Sequence, residues 1–196
     1  SVNGQCPCII RVPSSDDVWI KKALDIGAAG VIIPQVNSPE VAAQIVASCK
    51  YPPQGTRGVG IGRAHKYGLK FQDYIQKAND EIAVIIQAES RAAVDNISAI
   101  VNVEGIDAVL IGPYDLSASL GKTGKVRDPV VQEAMQKIRD SCRQAGVRLG
   151  VFGMDAAALK PYMQQGYTLL GVGSDALFLA DSASKTLADL KDFSDK

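Results

Sequence analysis

The chain has 196 residues, of which 46% are hydrophobic, and this is enough to bury one substantial core. We therefore expect a single domain over residues 1–196. Its 21 basic and 21 acidic residues balance, which argues against the basic surface typical of proteins that bind nucleic acid or anionic membranes. Because we find neither an apolar run of about 20 residues nor a signal-peptide pattern, we expect a cytoplasmic protein.

Strand-like apolar runs alternate with stretches of helical periodicity along the whole chain. Strands are predicted at residues 8–12, 31–36, 82–88, 106–112, 148–152 and 168–172. Helices are predicted at residues 16–26, 40–49, 91–101, 129–145, 156–165 and 176–190, and a Gly- and Pro-bearing segment at 51–69 precedes a further helix before the third strand. The pattern amounts to six β/α units.

The fold class follows from the composition of the strands. They are rich in Val, Ile and Leu without polar alternation, so both faces are buried, and the intervening helices require parallel pairing. A dinucleotide-type Gly fingerprint is missing after the first strand, whereas polar residues end several strands. Both points favour a TIM (β/α)₈ barrel over an open doubly wound sheet. Because such a barrel needs eight strands, we expect the chain to belong to a longer protein that supplies two further units.

Two neighbouring strand ends carry carboxylates. Gln87 and Glu89 share one face of the third strand, and Asp115 follows the fourth, where Gly112-Pro113 lets the backbone turn closely around a bound group. Converging carboxylates repel each other unless a proton or a cation lies between them, and oxygen ligands suit Mg²⁺ or Mn²⁺. The alternative is purely structural, with Glu89 capping the next helix and Asp115 acting as the N-cap of a helix at residues 116–120.

A third strand end carries a cation. Arg11 closes the first apolar run, where a guanidinium can donate two hydrogen bonds to a carboxylate or to a developing oxyanion. A structural ion pair with Glu89 or Asp115 is the alternative reading of the same residue.

Five stretches together resemble the HpcH/HpaI family of divalent-metal-dependent pyruvate aldolases, which includes the 4-hydroxy-2-oxoheptanedioate and 2-dehydro-3-deoxyglucarate enzymes. These stretches are IIRVPSSDD, AAGVIIPQVNSPEVA, YPPQGTRGVG, VIIQAES and IDAVLIGPYDLSASLG, and they stand in the family's order over essentially the whole chain.

The resemblance implies a TIM barrel in which Glu89 and Asp115 hold Mg²⁺ or Mn²⁺, with Co²⁺ a further candidate. It also implies that Arg11 lies over the keto oxygen of bound pyruvate and that backbone N–H groups of Tyr114 and Asp115 receive the pyruvate carboxylate. The stretch from Gly112 through Pro113 would then line the substrate, and Gln87 would steady the site from its edge.

The sequence departs from the family in one respect. The resemblance implies that the first two β/α units of the barrel are missing from this chain. In members of the family, the second of those strands ends in a histidine that assists proton transfer, whereas the only histidine here is His65, in the loop after the second unit present. As a substitute base His65 is the weaker reading, and substrate contact or solvent exposure is favoured. Arg57 and Arg63 in the same loop are open between a distal substrate carboxylate and a neighbouring subunit.

Three functions therefore stand open. The first is a metal-dependent aldolase that cleaves a 4-hydroxy-2-oxo acid to pyruvate and an aldehyde through an enolate. The second is a citryl- or malyl-CoA-type lyase, which would be expected to show a basic surface for the CoA phosphates. The third is a truncated, non-catalytic assembly subunit of the same fold.

The last predicted helix bears on assembly. Family resemblance implies a homo-oligomer, a hexamer or trimer of dimers, in which this helix reaches a neighbour. Phe178, Leu179, Leu187 and Leu190 offer an apolar stripe for that contact. The same helix could instead close its own barrel.

Overall fold

A computed structural model describes residues 6–194 as an α/β fold built on one sheet of six parallel strands. The strands are β1 (Ile9–Arg11), β2 (Gly30–Ile33), β3 (Ala83–Ala88), β4 (Ala108–Ile111), β5 (Arg148–Gly153) and β6 (Leu169–Val172). The helices are α1 (Asp17–Asp25), α2 (Pro39–Cys49), α3 (Phe71–Glu81), α4 (Arg91–Ile100), α5 (Pro113–Ser119), α6 (Pro129–Ala145), α7 (Ala156–Gln164) and α8 (Asp175–Ser194). All six predicted strands are confirmed, and α5 begins three residues before the helix at 116–120 that one reading of Asp115 suggested.

The strands pair in sequential order from β1 to β6, which curls the sheet into a half-barrel. Every pair is parallel, as the uniformly apolar strands predict. Within residues 6–194, β1 and β6 are the two edges of the sheet. The structure thus shows the α/β class and the parallel order but not a closed barrel.

The two faces of the sheet bury different clusters. Val84, Ile86 and Ala88 of β3 belong to the main core between the sheet and its helices. Ile85 points the other way, into a small cluster with Ala108 and Leu110 on the concave face. This alternation confirms the predicted face assignment, and it puts Gln87 on the concave side at the end of β3.

Helix starts follow the sequence signals. Ser38 caps α2, accepting a hydrogen bond from the Val41 N–H, and Pro39 occupies the first turn. Ser90 caps α4 in the same way, accepting from the Ala93 N–H at 3.0 Å. Ser90 lies two residues after the end of β3 and Ser38 five residues after the end of β2, so both helices begin at the carboxyl edge of the sheet.

Helix α8 leaves the body of the molecule. Every residue from 178 to 191 is exposed, including the apolar stripe at Phe178, Leu179, Leu187 and Leu190. Within the described residues the helix therefore does not close its own sheet. None of the helices between residues 6 and 194 has the length and apolar character needed to cross a bilayer.

Candidate active site

The predicted site residues meet at the carboxyl edge of the sheet. Arg11 is the last residue of β1, Gln87 lies one residue before the end of β3 and Glu89 one residue after it, while Gly112 follows β4. The carboxyl ends of parallel strands lie at one edge, which is where α/β folds build their sites.

A chain of hydrogen bonds joins three of these side chains. The Nε of Arg11 donates to the Oε1 of Gln87 at 3.1 Å. The Nε2 of Gln87 in turn donates to the Oε2 of Glu89 at 2.6 Å. Arg11 makes no ion pair in the part of the chain that the structure describes, so the suggested direct pair with Glu89 or Asp115 is wrong. The neutral amide of Gln87 spaces the cation from the carboxylate.

Glu89 is almost fully buried, with 4% of its surface exposed. Its Oε1 accepts a hydrogen bond from the backbone N–H of Gln35 at 3.0 Å. Burial raises the pKa of Glu89 above its ordinary value, and the nearby charge of Asp115 raises it further, against the lowering effects of the Gln35 hydrogen bond and of Arg11. The site therefore holds a carboxylate in an environment that disfavours its charge.

Asp115 lies on the first turn of α5 and is exposed to solvent. The N-cap of α5 is Gly112, so Asp115 is not the cap of a helix that begins at residue 116. Glu89 does not cap α4 either, because Ser90 does. Both structural alternatives for the carboxylates are wrong, since each helix finds its cap elsewhere.

Glu89 leaves no room for a side chain at position 112, which explains the glycine there. A Cβ built at Gly112 would lie 2.7 Å from the Oε2 of Glu89 and 3.2 Å from the Nε2 of Gln87. Any side chain at this position would displace the carboxylate or the amide. Pro113 beside it is buried, while Tyr114 is 56% exposed and borders the site from the start of α5.

The donor set fits a hard divalent cation. Glu89 and Asp115 offer only oxygen, and the repulsion that raises the pKa of Glu89 would be relieved by a positive ion between the two carboxylates. Within residues 6–194 no three His, Cys, Asp or Glu side chains form a metal cluster, so two carboxylates are the set in question. Such a pair suits Mg²⁺ or Mn²⁺, which retain waters and accept oxygens of a substrate.

The loop residues left open by the sequence are now placed. The Arg57 side chain is fully buried and ion-paired with Asp25 at 2.9 Å, so it reaches neither substrate nor a neighbouring subunit. His65 is 2% exposed rather than solvent-facing. Its Nδ1 accepts a hydrogen bond from the backbone N–H of Gly68, and its Nε2 lies 2.8 Å from the carbonyl oxygen of Gly60, both in its own loop. Arg63 is exposed and borders a cavity of about 820 Å³ beside β1.

Gln35 was missed at the sequence level. It follows Pro34 after β2, and its backbone N–H is the group that holds Glu89. Its only sequence signal is a polar residue directly after a strand-ending proline. That pattern predicts a turn but gives no indication of which group the turn's backbone will contact.

Known proteins resemble the chain over most of its length. The family described as HpcH/HpaI aldolase/citrate lyase matches residues 2–182. A 5-keto-4-deoxy-D-glucarate aldolase from Klebsiella pneumoniae is 41% identical over 92% of this chain and 70% of the relative. A 4-hydroxy-2-oxovalerate aldolase from Rhodococcus jostii is 39% identical over 93% of this chain and 70% of the relative.

One solved structure shares both fold and sequence. A HpcH/HpaI aldolase/citrate lyase family protein from Burkholderia cenocepacia superposes with a TM-score of 0.89 at 37% identity, covering 93% of this chain and 73% of that protein. The described strands and helices therefore correspond to a large part of a known fold.

Proposed function

Because this chain belongs to the HpcH/HpaI aldolase/citrate lyase family, we propose that it is a divalent-metal-dependent aldolase. As a carbon–carbon lyase it would cleave a 4-hydroxy-2-oxo acid to pyruvate and an aldehyde. The observation that carries the proposal beyond the family is the strand-end geometry, in which the amide of Gln87 joins the buried carboxylate of Glu89 to the guanidinium of Arg11. A second carboxylate, Asp115, lies close enough to raise the pKa of Glu89.

The reaction needs stabilisation of negative charge on an oxygen. Removal of the proton from the C4 hydroxyl lets the C3–C4 bond break, so that C4 leaves as the aldehyde and the electron pair forms the pyruvate enolate. The enolate charge rests on the C2 oxygen until C3 is protonated. When bound at Glu89 and Asp115, the metal ion supplies positive charge for that oxygen.

Arg11 supplies a second positive partner in this proposal. Its Nε is engaged by Gln87, which leaves the terminal nitrogens of the guanidinium to donate toward a substrate oxygen. Gln87 would thus orient Arg11 and Glu89 at once, which is more than the edge role predicted from the sequence. Backbone N–H groups of Tyr114 and Asp115, in the first turn of α5, would receive the pyruvate carboxylate.

We propose a TIM barrel as the complete architecture. Six parallel strands in sequential order are consistent with it, and the chain spans 70% of the length of the two aldolase relatives. In a closed eight-stranded barrel, two further strands would pair with the two open edges, β1 and β6, which expose Ile9 and Val172.

Pyruvate release tests the function. The protein is incubated with racemic 4-hydroxy-2-oxopentanoate and Mn²⁺, and pyruvate is followed through lactate dehydrogenase and NADH. We expect release that stops on addition of chelator. Glu89→Gln and Asp115→Asn should lose both release and Mn²⁺ binding by titration calorimetry, while Asp95→Asn, an exposed aspartate on α4, serves as the matched control.

The alternatives give different results in the same experiment. Cleavage of citryl- or malyl-CoA without pyruvate release would identify the CoA lyase. Mn²⁺ binding without turnover of either substrate would identify a non-catalytic subunit. Unchanged Mn²⁺ affinity in both carboxylate variants would contradict the metal assignment itself.

We also propose that the protein is a homo-oligomer in which α8 packs on another copy. Leu179 and Leu190 are 73% and 63% exposed, and an isolated apolar stripe of this kind is typical of a helix with a partner. Sedimentation velocity at micromolar concentration should show a species larger than the monomer. Leu187→Asp, in the middle of the stripe, should shift it to monomer.

A further inference from the structure

The residue that follows Pro34 has an unusual backbone. Gln35 has φ of 54°, in the left-handed region that residues other than glycine rarely adopt. Conformations of this kind persist only where the surrounding structure holds them, and they concentrate at functional sites. Gln35 lies at the carboxyl end of β2, between the strands that carry Arg11 and Glu89.

The ladder between β2 and β3 shows what this conformation changes. Ile33 pairs with Ile86, and the N–H of Ala83 donates to the carbonyl of Ala29. Continued in steps of two residues, this regular parallel ladder would bring the N–H of Gln35 to the carbonyl of Gln87. In the structure the N–H of Val36 donates there instead, at 3.2 Å. One extra residue is therefore inserted in β2 at its end, which is a β-bulge.

The bulge releases one backbone donor from the ladder. The released N–H belongs to Gln35, and it donates to the Oε1 of Glu89 at 3.0 Å. The other oxygen of Glu89 is held by Gln87, whose own carbonyl is held by Val36. The bulge therefore fixes Gln87 through its backbone carbonyl and Glu89 through its carboxylate.

We propose that Gln35 is a positioning residue whose left-handed backbone, rather than its side chain, orients Glu89 for the metal ion. The inference rests on the proposed function, since it takes Glu89 as a metal ligand. The side chain of Gln35 is exposed and makes no hydrogen bond within the described residues, so its chemistry is not what the carboxylate contacts. The essential property of position 35 is tolerance of positive φ.

Substitutions at position 35 separate backbone from side chain. Glycine and asparagine tolerate the left-handed region, whereas valine, which is β-branched, strongly resists it. Gln35→Gly and Gln35→Asn should keep the Mn²⁺ affinity of the parent, measured by titration calorimetry. Gln35→Val should lower it roughly 10- to 100-fold, the range typical of losing a group that orients a metal ligand.

A matched control imposes the same backbone conflict elsewhere. Lys66 has φ of 52° in the loop before α3, so Lys66→Val should be strained in the same way yet leave Mn²⁺ affinity unchanged. Thermal unfolding of both valine variants checks that they are folded at the titration temperature. Equal Mn²⁺ affinity in Gln35→Val and Gln35→Gly would overturn the inference, as would a loss in all three variants at position 35.

A second measurement does not need metal. In the metal-free ¹⁵N-labelled protein, the Gln35 amide proton should resonate downfield because it donates to a carboxylate, and Glu89→Ala should move it upfield. An unmoved resonance would overturn the inference. If Glu89→Ala moves the Gln35 resonance but the parent protein does not bind Mn²⁺, the bulge still holds Glu89 and the proposed metal function is refuted. Failure of the inference and failure of the proposed function are therefore distinguishable.

Discussion

Two clusters of polar and charged side chains, each built around a buried ion, differ in how the charge of that ion is satisfied. The strand-end cluster consists of Arg11, Gln87, Glu89 and Asp115. The loop cluster consists of Asp25, Arg57, His65 and two tyrosines, Tyr51 and Tyr74. Each contains one almost fully buried ion, Glu89 at 4% and Arg57 at 3% exposure.

In the loop cluster the buried ion has its counter-ion. Arg57 donates to Asp25 at 2.9 Å and to the hydroxyl of Tyr74 at 3.3 Å, and its guanidinium lies 4.5 Å from the ring centroid of Tyr51. Burial lowers the pKa of Arg57, but these hydrogen bonds outweigh it and the pKa is raised overall. Its Nε is the one buried side-chain N or O atom without a partner in the described part of the chain.

In the strand-end cluster the buried ion has no counter-ion in contact. Glu89 feels the repulsion of Asp115, and the nearest cation reaches it only through a neutral amide. Structural ion pairs are usually completed, whereas sites that bind a charged ligand keep charge uncompensated until it arrives. This contrast supports our proposal that the strand-end cluster is the functional one and the loop cluster is structural.

The largest effect on the free energy of unfolding should come from removing the counter-ion of the buried Arg57 guanidinium. Asp25→Ala removes the counter-ion of a fully buried Arg57 side chain and should cost about 3–5 kcal/mol in the free energy of unfolding. Arg57→Met should cost less, because Asp25 is partly exposed and keeps Lys21 as a partner. Urea unfolding measures both, and Mn²⁺ affinity should not change in either. A larger loss for Arg57→Met than for Asp25→Ala would contradict this account.

Arg11→Lys should come next, with its effect on catalysis rather than on folding. Lysine keeps the charge but lacks the fork that can contact Gln87 and a substrate oxygen together. Losing one donor to a developing oxyanion typically lowers kcat by about 10²–10³. The check is exchange of the pyruvate methyl protons for deuterium by NMR, with Arg143→Lys, at an exposed arginine on α6, as the control. Near-normal exchange in Arg11→Lys would rule out the role in enolate stabilisation.

Gly112→Ala should disturb the carboxylate site by crowding. The added methyl would lie 2.7 Å from the Oε2 of Glu89, and overpacking of this kind costs about 1–3 kcal/mol. We expect weaker Mn²⁺ binding together with a modest loss of thermal stability. Gly121→Ala tests the opposite case, because a Cβ there meets nothing within 4 Å although φ is 72°, so it should lose stability without losing Mn²⁺ affinity.

The sequence predicted the strand ends better than the chain between them. Arg11, Gln87 and Glu89 could be placed at one edge because parallel strands and side-chain alternation fix both position and face. The alternative reading started the helix after β4 at residue 116, three residues too late, because Gly112-Pro113 indicates a turn as readily as a helix start, although proline at the first helical position is common. The bulge at Gln35 depends on the contact with Glu89, and the burial of His65 depends on packing against Phe71 and Tyr74 of α3, and local patterns do not encode either.

The smallest expected effect is a dependence of the free energy of unfolding on pH that arises from Glu89. The ordinary pKa of Glu89 is 4.5, and in the folded metal-free protein it is raised, chiefly by burial. Between the unfolded and folded values the folded state binds more protons than the unfolded state, so the free energy of unfolding should fall as pH rises through this window. Glu89→Gln does not titrate and should lack this component. Urea unfolding in EDTA from pH 4 upward, compared between parent and variant, measures it as the difference of the two slopes. Saturating Mn²⁺ should abolish this fall in the parent protein, because the ion favours the ionised carboxylate. Identical slopes for parent and Glu89→Gln in EDTA would show that Glu89 is not the group with the raised pKa.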